Sequence, residues 1–226
     1  MIKNYYKMAF VMSAIFAGSG VWANNGVYIE QVGSTNTVTI TQIGANNRVG
    51  NSGLNQQSSI TGSTNTLTTS QTGDNNIIDY TVVGSTNTIS KTVIGDTNQI
   101  TFICGDGTTA CTSVTSTMNI TGDLNTVTST IKGSGITNTL NITGDSNTVT
   151  QSILTSNSTS TITILGDSNT LTSLMTGASG GAGHTLVASV TGTSNTHSIT
   201  QSGTINTTVN VTTNGNSNNV TVTTGN

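Results

Sequence analysis

A short motif recurs along almost the whole chain and constrains its fold more than any other feature. The motif is Gly-x-x-Asn-Thr-Φ-x-Φ, where Φ is Val, Ile or Leu, and copies are often 11 residues apart. Self-similarity at a short fixed period is typical of a solenoid. The clearest copies begin with Gly33 and Asn36, Gly44 and Asn47, Gly62 and Asn65, Gly73 and Asn76, Gly84 and Asn87, Gly95 and Asn98, Gly122 and Asn125, Gly144 and Asn147, and Gly166 and Asn169.

The repeat predicts strands and not helices. An 11-residue period also suits a right-handed helical coiled coil, but Gly, Asn and Thr are poor helix formers. The apolar residues recur at i and i+2, which is the period of a strand. Asn36, Val38 and Ile40 then share one face, while Thr37 and Thr39 share the other. The Gly-x-x-Asn segment is expected to turn, with Gly and Asn at positive φ.

Stacking is the way in which such strands bury their apolar face. Two 11-residue halves predict a rung of roughly 22 residues and an all-β solenoid of about nine rungs over residues 24–226. Stacked Asn and Gln side chains can bond from rung to rung. Departures from the repeat are expected at Cys104–Cys111, at Gly133–Asn138 with two extra residues, and in the Gly-rich stretch Gly177–Gly183.

The first 23 residues predict a signal peptide. Lys3 and Lys7 precede an apolar stretch at residues 8–17, and Val21 and Ala23 lie at the positions that signal peptidase reads, with cleavage expected after Ala23. No later stretch reaches the roughly 18 apolar residues of a membrane span. The mature chain is therefore expected to be secreted, extracellular or at the cell surface, with no membrane span.

Composition excludes several classes of protein. Charged residues make up 6% of the chain, and there is no proline. Lys and Arg are too few for a nucleic-acid interface. The abundance of β-branched residues argues against disorder.

Two cysteines, Cys104 and Cys111, predict a disulfide across a short loop, as expected of an exported chain. The alternative is a metal site, which would need further ligands nearby. His184 and His197 are distant in sequence and are expected to be incidental.

No catalytic constellation or cofactor motif is recognised, which predicts a protein that is not an enzyme. Aspartates recur directly after the turn glycine, where Asp commonly caps its own backbone. Calcium at stacked turns is the alternative, although the glycine-rich nonapeptide of calcium-binding rolls is absent. These aspartates are Asp74, Asp96, Asp123, Asp145 and Asp167.

Four units carry a glutamine two residues before the turn glycine, giving Gln-x-Gly-x-x-Asn. This spacing resembles the curlin repeat, the motif of bacterial extracellular amyloid subunits. The resemblance implies a two-strand-per-rung solenoid, export through an outer-membrane secretion system, and self-assembly into biofilm fibres, alone or with other curlin-like subunits. Elsewhere the glutamine is replaced, and the cysteine pair is a departure, which marks a divergent member. The glutamines are Gln31, Gln42, Gln71 and Gln201.

The threonines support a second hypothesis. Thr-x-Thr recurs at Thr37/Thr39, Thr66/Thr68, Thr126/Thr128, Thr148/Thr150 and Thr170/Thr172. Stacked in a solenoid, these pairs would resemble the ice-binding faces of antifreeze solenoids. The expected function is thus a self-assembling extracellular fibre subunit, with an ice-binding solenoid or a non-polymerising surface adhesin as alternatives.

Overall fold

The computed structural model describes residues 10–12, 24–50, 58–106, 108–177 and 183–225, the first of these by their backbone alone. Within them the chain is all-β, and its strands stack in parallel as a β-solenoid of about 8 turns with about 23 residues per turn. The predicted fold class is confirmed. The turns are fewer than the nine expected because insertions take up residues that the repeat alone would have used for strands.

Two parallel sheets form the solenoid. The nine-stranded sheet has the order β1 (Phe10–Met12), β4 (Thr37–Ile43), β7 (Thr66–Thr72), β9 (Thr88–Ile94), β12 (Thr115–Thr121), β14 (Thr137–Thr143), β16 (Thr159–Leu165), β18 (Thr185–Thr191) and β20 (Thr208–Asn214).

The second sheet has twelve strands. Its main path is β2 (Gly26–Val27), β5 (Arg48–Val49), β8 (Ile77–Ser85), β10 (Gln99–Ile103), β13 (Thr126–Ile131), β15 (Thr148–Ile153), β17 (Thr170–Met175), β19 (Thr196–Gln201) and β21 (Asn219–Thr224). Three further strands complete its first turns, namely β3 (Ile29–Val32), β6 (Ser58–Thr61) and β11 (Cys111–Thr112).

The strand register gives the length of each turn. Thr126 lies beside Thr148, and Thr148 lies beside Thr170, so these turns contain 22 residues. Elsewhere the offset grows, as where Thr88 pairs with Thr115 across 27 residues. The predicted insertion at Gly133–Asn138 is wrong, because Thr115 pairs with Thr137 at the regular offset of 22.

The core is a narrow column between the two sheets. In β15, for example, Val149, Gln151 and Ile153 are buried while Thr148 and Thr150 are exposed. This alternation is the one that the repeat predicts. Asn36, Val38 and their counterparts on later turns face inward, as expected.

The predicted signal peptide falls mostly outside the described residues and stays a prediction. Its residues 10–12 form β1, which pairs with β4 at Phe10 opposite Val38. Removal of the segment would expose that edge of β4. Within the described residues there is no helix that could span a membrane.

Candidate functional site

One of the two corners of the solenoid has the same structure on every turn. This regular corner carries the chain from the nine-stranded to the twelve-stranded sheet through four residues, as between Thr121 and Thr126. Its last residue is always asparagine, and these side chains stack along the whole described solenoid. The ladder comprises Asn47, Asn76, Asn98, Asn125, Asn147, Asn169, Asn195 and Asn218.

Asn125 shows how each step of the ladder is built. Its Nδ2 donates to Asn98 Oδ1 at 3.1 Å and to the carbonyl oxygen of Gly144 at 2.8 Å. Its Oδ1 accepts from the backbone N–H and the Nδ2 of Asn147, at 2.9 and 3.1 Å. The amide is fully buried and uses both ends. Such chains of amides polarise one another, and a buried amide left unpaired would be costly.

The sequence suggested that the asparagine of the turn has positive φ. In the structure the residue before the asparagine is the left-handed one. Leu124 has φ of 59°, and Ser146 has φ of 59°. The turn glycine also needs positive φ: Gly122 has φ of 124°, and a Cβ there would collide with the carbonyl oxygen of Gly144. Because the asparagine keeps ordinary backbone angles, its side chain is free to enter the core.

The aspartates of this corner bond between turns rather than capping their own backbone. Asp123 Oδ1 accepts from the N–H of Asp96 at 2.7 Å, and Asp145 Oδ1 accepts from the N–H of Asp123 at 2.8 Å. The same contact repeats at Asp74 and Asp167. The expectation of local capping is therefore wrong, although the residues do have a role in the turn. The described residues contain no group of three or more His, Cys, Asp or Glu side chains placed to hold a metal ion.

The opposite corner is irregular. Its ladder begins with Asn36, Asn65 and Asn87, and then the N–H of Val114 is the donor to Asn87 Oδ1 at 3.0 Å. Val114 has no amide to continue the chain. On later turns the position is taken by Ile136, Ser158, His184 and Thr207.

The predicted disulfide is confirmed and lies at this irregular corner. Cys104 and Cys111 are bonded, with Cα atoms 5.5 Å apart, and both are buried. Within the loop that the disulfide closes, Asp106 Oδ2 contacts Lys132 Nζ at 2.8 Å. That bond and those from Thr108 hold the pKa of the Asp106 carboxyl below its ordinary value.

The four predicted glutamines do not form one ladder. Gln42 donates to Gln71 Oε1 at 2.8 Å in the nine-stranded sheet. Gln31 is half-buried in β3, and Gln201 donates to the carbonyl oxygen of Thr185 at 2.9 Å from the end of β19. The curlin-type glutamine is thus a ladder residue only across the first two turns.

A fully buried lysine, which sequence analysis missed, lies in the core. Lys91 Nζ donates to Ser116 Oγ at 3.1 Å and lies 3.8 Å from the centroid of the Phe102 ring. Burial holds the pKa of its amine well below the ordinary value. The signal was available, because Lys91 stands at an inward position of its strand, where all but one of the strands in register carry an apolar residue.

Further polar groups line the core beyond Lys91. Gln151 Nε2 donates to Ser160 Oγ at 2.6 Å, whereas the amide of Asn138 has no partner within the described residues. The Tyr80 hydroxyl is likewise buried without a partner there, and burial with the nearby Asp79 charge raises its pKa.

Both histidines are buried. His184 Nε2 contacts the carbonyl oxygen of Thr176 at 3.0 Å, and Nδ1 lies 2.8 Å from Thr207 Oγ1. Since Nδ1 also accepts from the Thr207 N–H, Nε2 is the ring nitrogen that donates to the Thr176 carbonyl oxygen. His197 is the opposite case, because neither ring nitrogen has a partner within the described residues.

The threonines form one complete column. On the outer face of the nine-stranded sheet, the first residue of each strand from β4 to β20 is threonine, in register. The pairs at Thr37 and Thr66 belong to this face, whereas those at Thr126, Thr148 and Thr170 lie on the other sheet. The predicted Thr-x-Thr pairs are therefore divided between two faces.

The described solenoid is incompletely covered at both ends. Val27 and Ile29 at one end, and Val220 and Val222 at the other, are half-buried hydrophobic residues that pack against the core. Within the described residues, β21 pairs only with β19.

Comparison with family models, with curated proteins and with solved structures finds no match for this chain.

Proposed function

We propose that this chain is a secreted structural subunit that assembles head-to-tail into extracellular cross-β fibres of a biofilm or adhesion matrix. The observation that carries the proposal is the pair of half-covered ends, where Val27, Ile29, Val220 and Val222 continue the line of the core. A strand edge with an apolar section is a template for another chain. Such a heterologous contact does not close, so it grows a filament.

The charge distribution supports end-to-end contact. Among strands β2, β3, β20 and β21, Glu30 is the single charged side chain, and it is exposed. Strand edges that lack charge have little to repel a second copy. The strands of the subunit already lie parallel and stacked, so the fibre would extend the existing geometry about 4.8 Å per rung.

The disulfide supports export. Such bonds persist in oxidising compartments, and the predicted leader and the curlin resemblance agree with that location. The proposed partners are other copies of the chain, with an outer-membrane secretion system and curlin-like subunits as further candidates. The proposed role is structural and needs no catalytic group or cofactor.

Electron microscopy of the purified chain tests the proposal directly. Unbranched fibres should form over time, and aligned fibres should diffract near ~4.8 Å along the axis and ~10 Å across it. A preparation that stays monomeric at high concentration would contradict the proposal.

A charge at the exposed end should block growth. Val222→Lys places a charge where the next copy would bury it, which is costly without a partner, and should lengthen the lag of fibre formation at least about tenfold. Thr221→Lys, on the outward face of the same strand, is the matched control and should change the lag little. Equal effects of the two would argue that net charge, and not burial at the end, controls assembly.

The threonine column favours one second candidate, ice binding. Eight stacked threonines form an uncharged, regular line on the nine-stranded sheet, although the neighbouring column contains Ser90, Val187 and Asn210. Shaping of growing ice crystals by a monomeric protein, lost in Thr137→Lys but kept in Thr148→Lys on the other sheet, would establish this candidate instead.

A further inference from the structure

We propose that copies join in a single register, in which Asn25 of an incoming copy stacks on Asn218 and its β2 and β3 continue the twelve-stranded sheet beyond β21. The inference rests on the proposed head-to-tail assembly and specifies its contact. It follows from the regular ladder, whose first and last described steps are Asn25 and Asn218.

The end at Asn218 has an unused acceptor. Its N–H and Nδ2 each donate to Asn195 Oδ1 at 2.9 Å, as in every other step. Its own Oδ1 receives no bond within the described residues, whereas Asn195 Oδ1 receives those two. The N–H and Nδ2 of a further asparagine could donate to this oxygen.

The end at Asn25 has the complementary unused donor. Asn25 Oδ1 accepts from the N–H of Asn47 at 2.9 Å, and its Nδ2 donates to the carbonyl oxygen of Gly44 at 3.0 Å. Asn25 is thus the first step of the same ladder. Its own N–H has no partner within the described residues, and in the ladder that group donates to the Oδ1 of the preceding step.

Stacking Asn25 on Asn218 fixes the contact between the copies along the twelve-stranded sheet. Counting along both strands places Val27 on Val220 and Ile29 on Val222, so the four half-covered hydrophobic residues form one buried layer. The backbone hydrogen bonds also fit this register. The Thr196 N–H donates to the Asn218 carbonyl oxygen at 2.8 Å, and the Asn219 N–H would donate in the same way to the Asn25 carbonyl oxygen of the incoming copy.

Other registers lose these contacts. A slip of one residue places Val27 against the outward-facing Thr221 and reverses every side chain across the sheet. A slip of two residues pairs Val27 with Val222, leaves Val220 uncovered and breaks the ladder. The continuous ladder and the continuous core therefore select the same register.

Cross-linking within fibres tests the register. Tyr28 and Thr221 are both outward-facing and would be direct neighbours, so Tyr28→Cys with Thr221→Cys should form a disulfide between copies. Tyr28→Cys with Asn219→Cys, or with Thr223→Cys, places the thiols roughly 8 Å apart between Cα atoms, beyond bridging range. The native cysteines are bonded to each other and buried.

The measurement is the yield of covalent oligomers on a non-reducing gel after mild oxidation of preformed fibres. The Thr221 pair should exceed both controls at least about tenfold, because only its Cα atoms lie in the range of a disulfide. A second pair keeps Tyr28 intact: Glu30→Cys with Thr223→Cys repeats the test in the same register, with Thr221→Cys as its control partner.

The outcomes separate the two proposals. Fibres that cross-link best through Asn219, or through none of the pairs, would overturn the register and leave fibre assembly intact. A wild-type chain that never forms fibres would overturn both.

Discussion

The two corners of this solenoid connect the two sheets in different ways. At the regular corner every turn ends in an asparagine, from Asn47 to Asn218, and each link has the same length. At the irregular corner the amide ladder stops at Asn87, and Val114, Ile136, Ser158 and His184 follow in its place.

Insertions follow the same division. The strand register shows longer turns between Val49 and Ser58, between Ile103 and Cys111, and between Met175 and Thr185, and each added length falls on the half-turn that runs from the regular to the irregular corner. The opposite half-turn keeps its length throughout. A continuous amide ladder requires the same chain length on every turn, whereas a corner closed by apolar contacts or a disulfide can take in extra residues. The regular corner keeps the number of residues on its half-turn constant, and the half-turn that leads to the irregular corner contains the insertions.

Breaking the regular ladder in its middle should have the largest effect on stability. Asn125→Ala removes four hydrogen bonds and leaves Asn98 Oδ1 and the Asn147 amide with fewer partners. We expect a loss of about 3 kcal/mol in the free energy of unfolding, measured by urea denaturation.

The matched control for that change is Asn119→Ala. Asn119 also contacts an asparagine of the next turn, Asn141, at 3.0 Å, but it is exposed on the outer face. Its loss should be below about 0.5 kcal/mol. Similar losses for the two variants would mean that the buried ladder is not what stabilises the regular corner.

The disulfide anchors the residue that takes the place of the turn glycine at the irregular corner, because Cys111 pairs with Gly84. Asn87 Nδ2 donates to the carbonyl oxygen of Cys111 at 3.1 Å. The disulfide therefore fixes the backbone that binds the last asparagine of this ladder. Replacing both cysteines by serine should lower the free energy of unfolding by about 2 kcal/mol, since the closed loop is short. Alkylation without reductant, followed by mass spectrometry, checks that the native pair is oxidised. Two alkylated thiols would contradict the bond.

The sequence reveals the regular corner better than the irregular one, for a physical reason. The repeat predicts strands, the inward face of Asn36 and Val38 and the 22-residue rung, because a one-dimensional pattern encodes them. It does not show which turn residue is left-handed, since that depends on the carbonyl stacked above Gly122. Nor does it show that His184 replaces an asparagine, because residue types alone do not reveal contacts between distant turns.

The buried lysine should oppose stability. Lys91 lies in β9, the strand that leaves the irregular corner at its last asparagine, and its nearest polar contact is the neutral Ser116. A buried amine without a carboxylate is costly, so Lys91→Met should raise the free energy of unfolding by about 1–2 kcal/mol. Lys132→Met, which removes an exposed ion pair, is the control and should change it by less than about 1 kcal/mol.

The pH dependence of stability gives that prediction a second test. Because burial holds the folded pKa of Lys91 well below 10.5, the unfolded chain binds more protons below that pH. The contribution of Lys91 to stability should therefore rise with pH up to about 10.5 and level off above it. The rise should be smaller in Lys91→Met, and an unchanged slope would show that this amine keeps its proton in the fold.

The two histidines provide the smallest and most local test of the comparison. His184, at the irregular corner, has both ring nitrogens in contact with polar groups, whereas His197, two residues beyond the regular corner, has neither. Burial lowers the pKa of His197 from 6.5. The neighbouring strands β17, β18, β20 and β21 carry no titratable side chain that could offset the charge.

Acid should therefore weaken the end of the solenoid that contains His197. Below pH 6.5 the histidine binds a proton in the unfolded chain but not in the folded chain. Stability therefore decreases as the pH is lowered, until the pKa of the folded state is reached. This histidine can account for roughly 0.7 kcal/mol at most between pH 7 and pH 6. His197→Leu should remove that part of the slope in urea titrations at the two pH values. Adding Thr196→His, which moves the imidazole to the exposed neighbour on the same strand, should not restore it, because an exposed ring is solvated in both states. Restoration would show that the slope reflects the net charge of this end and not the burial of a histidine without a partner.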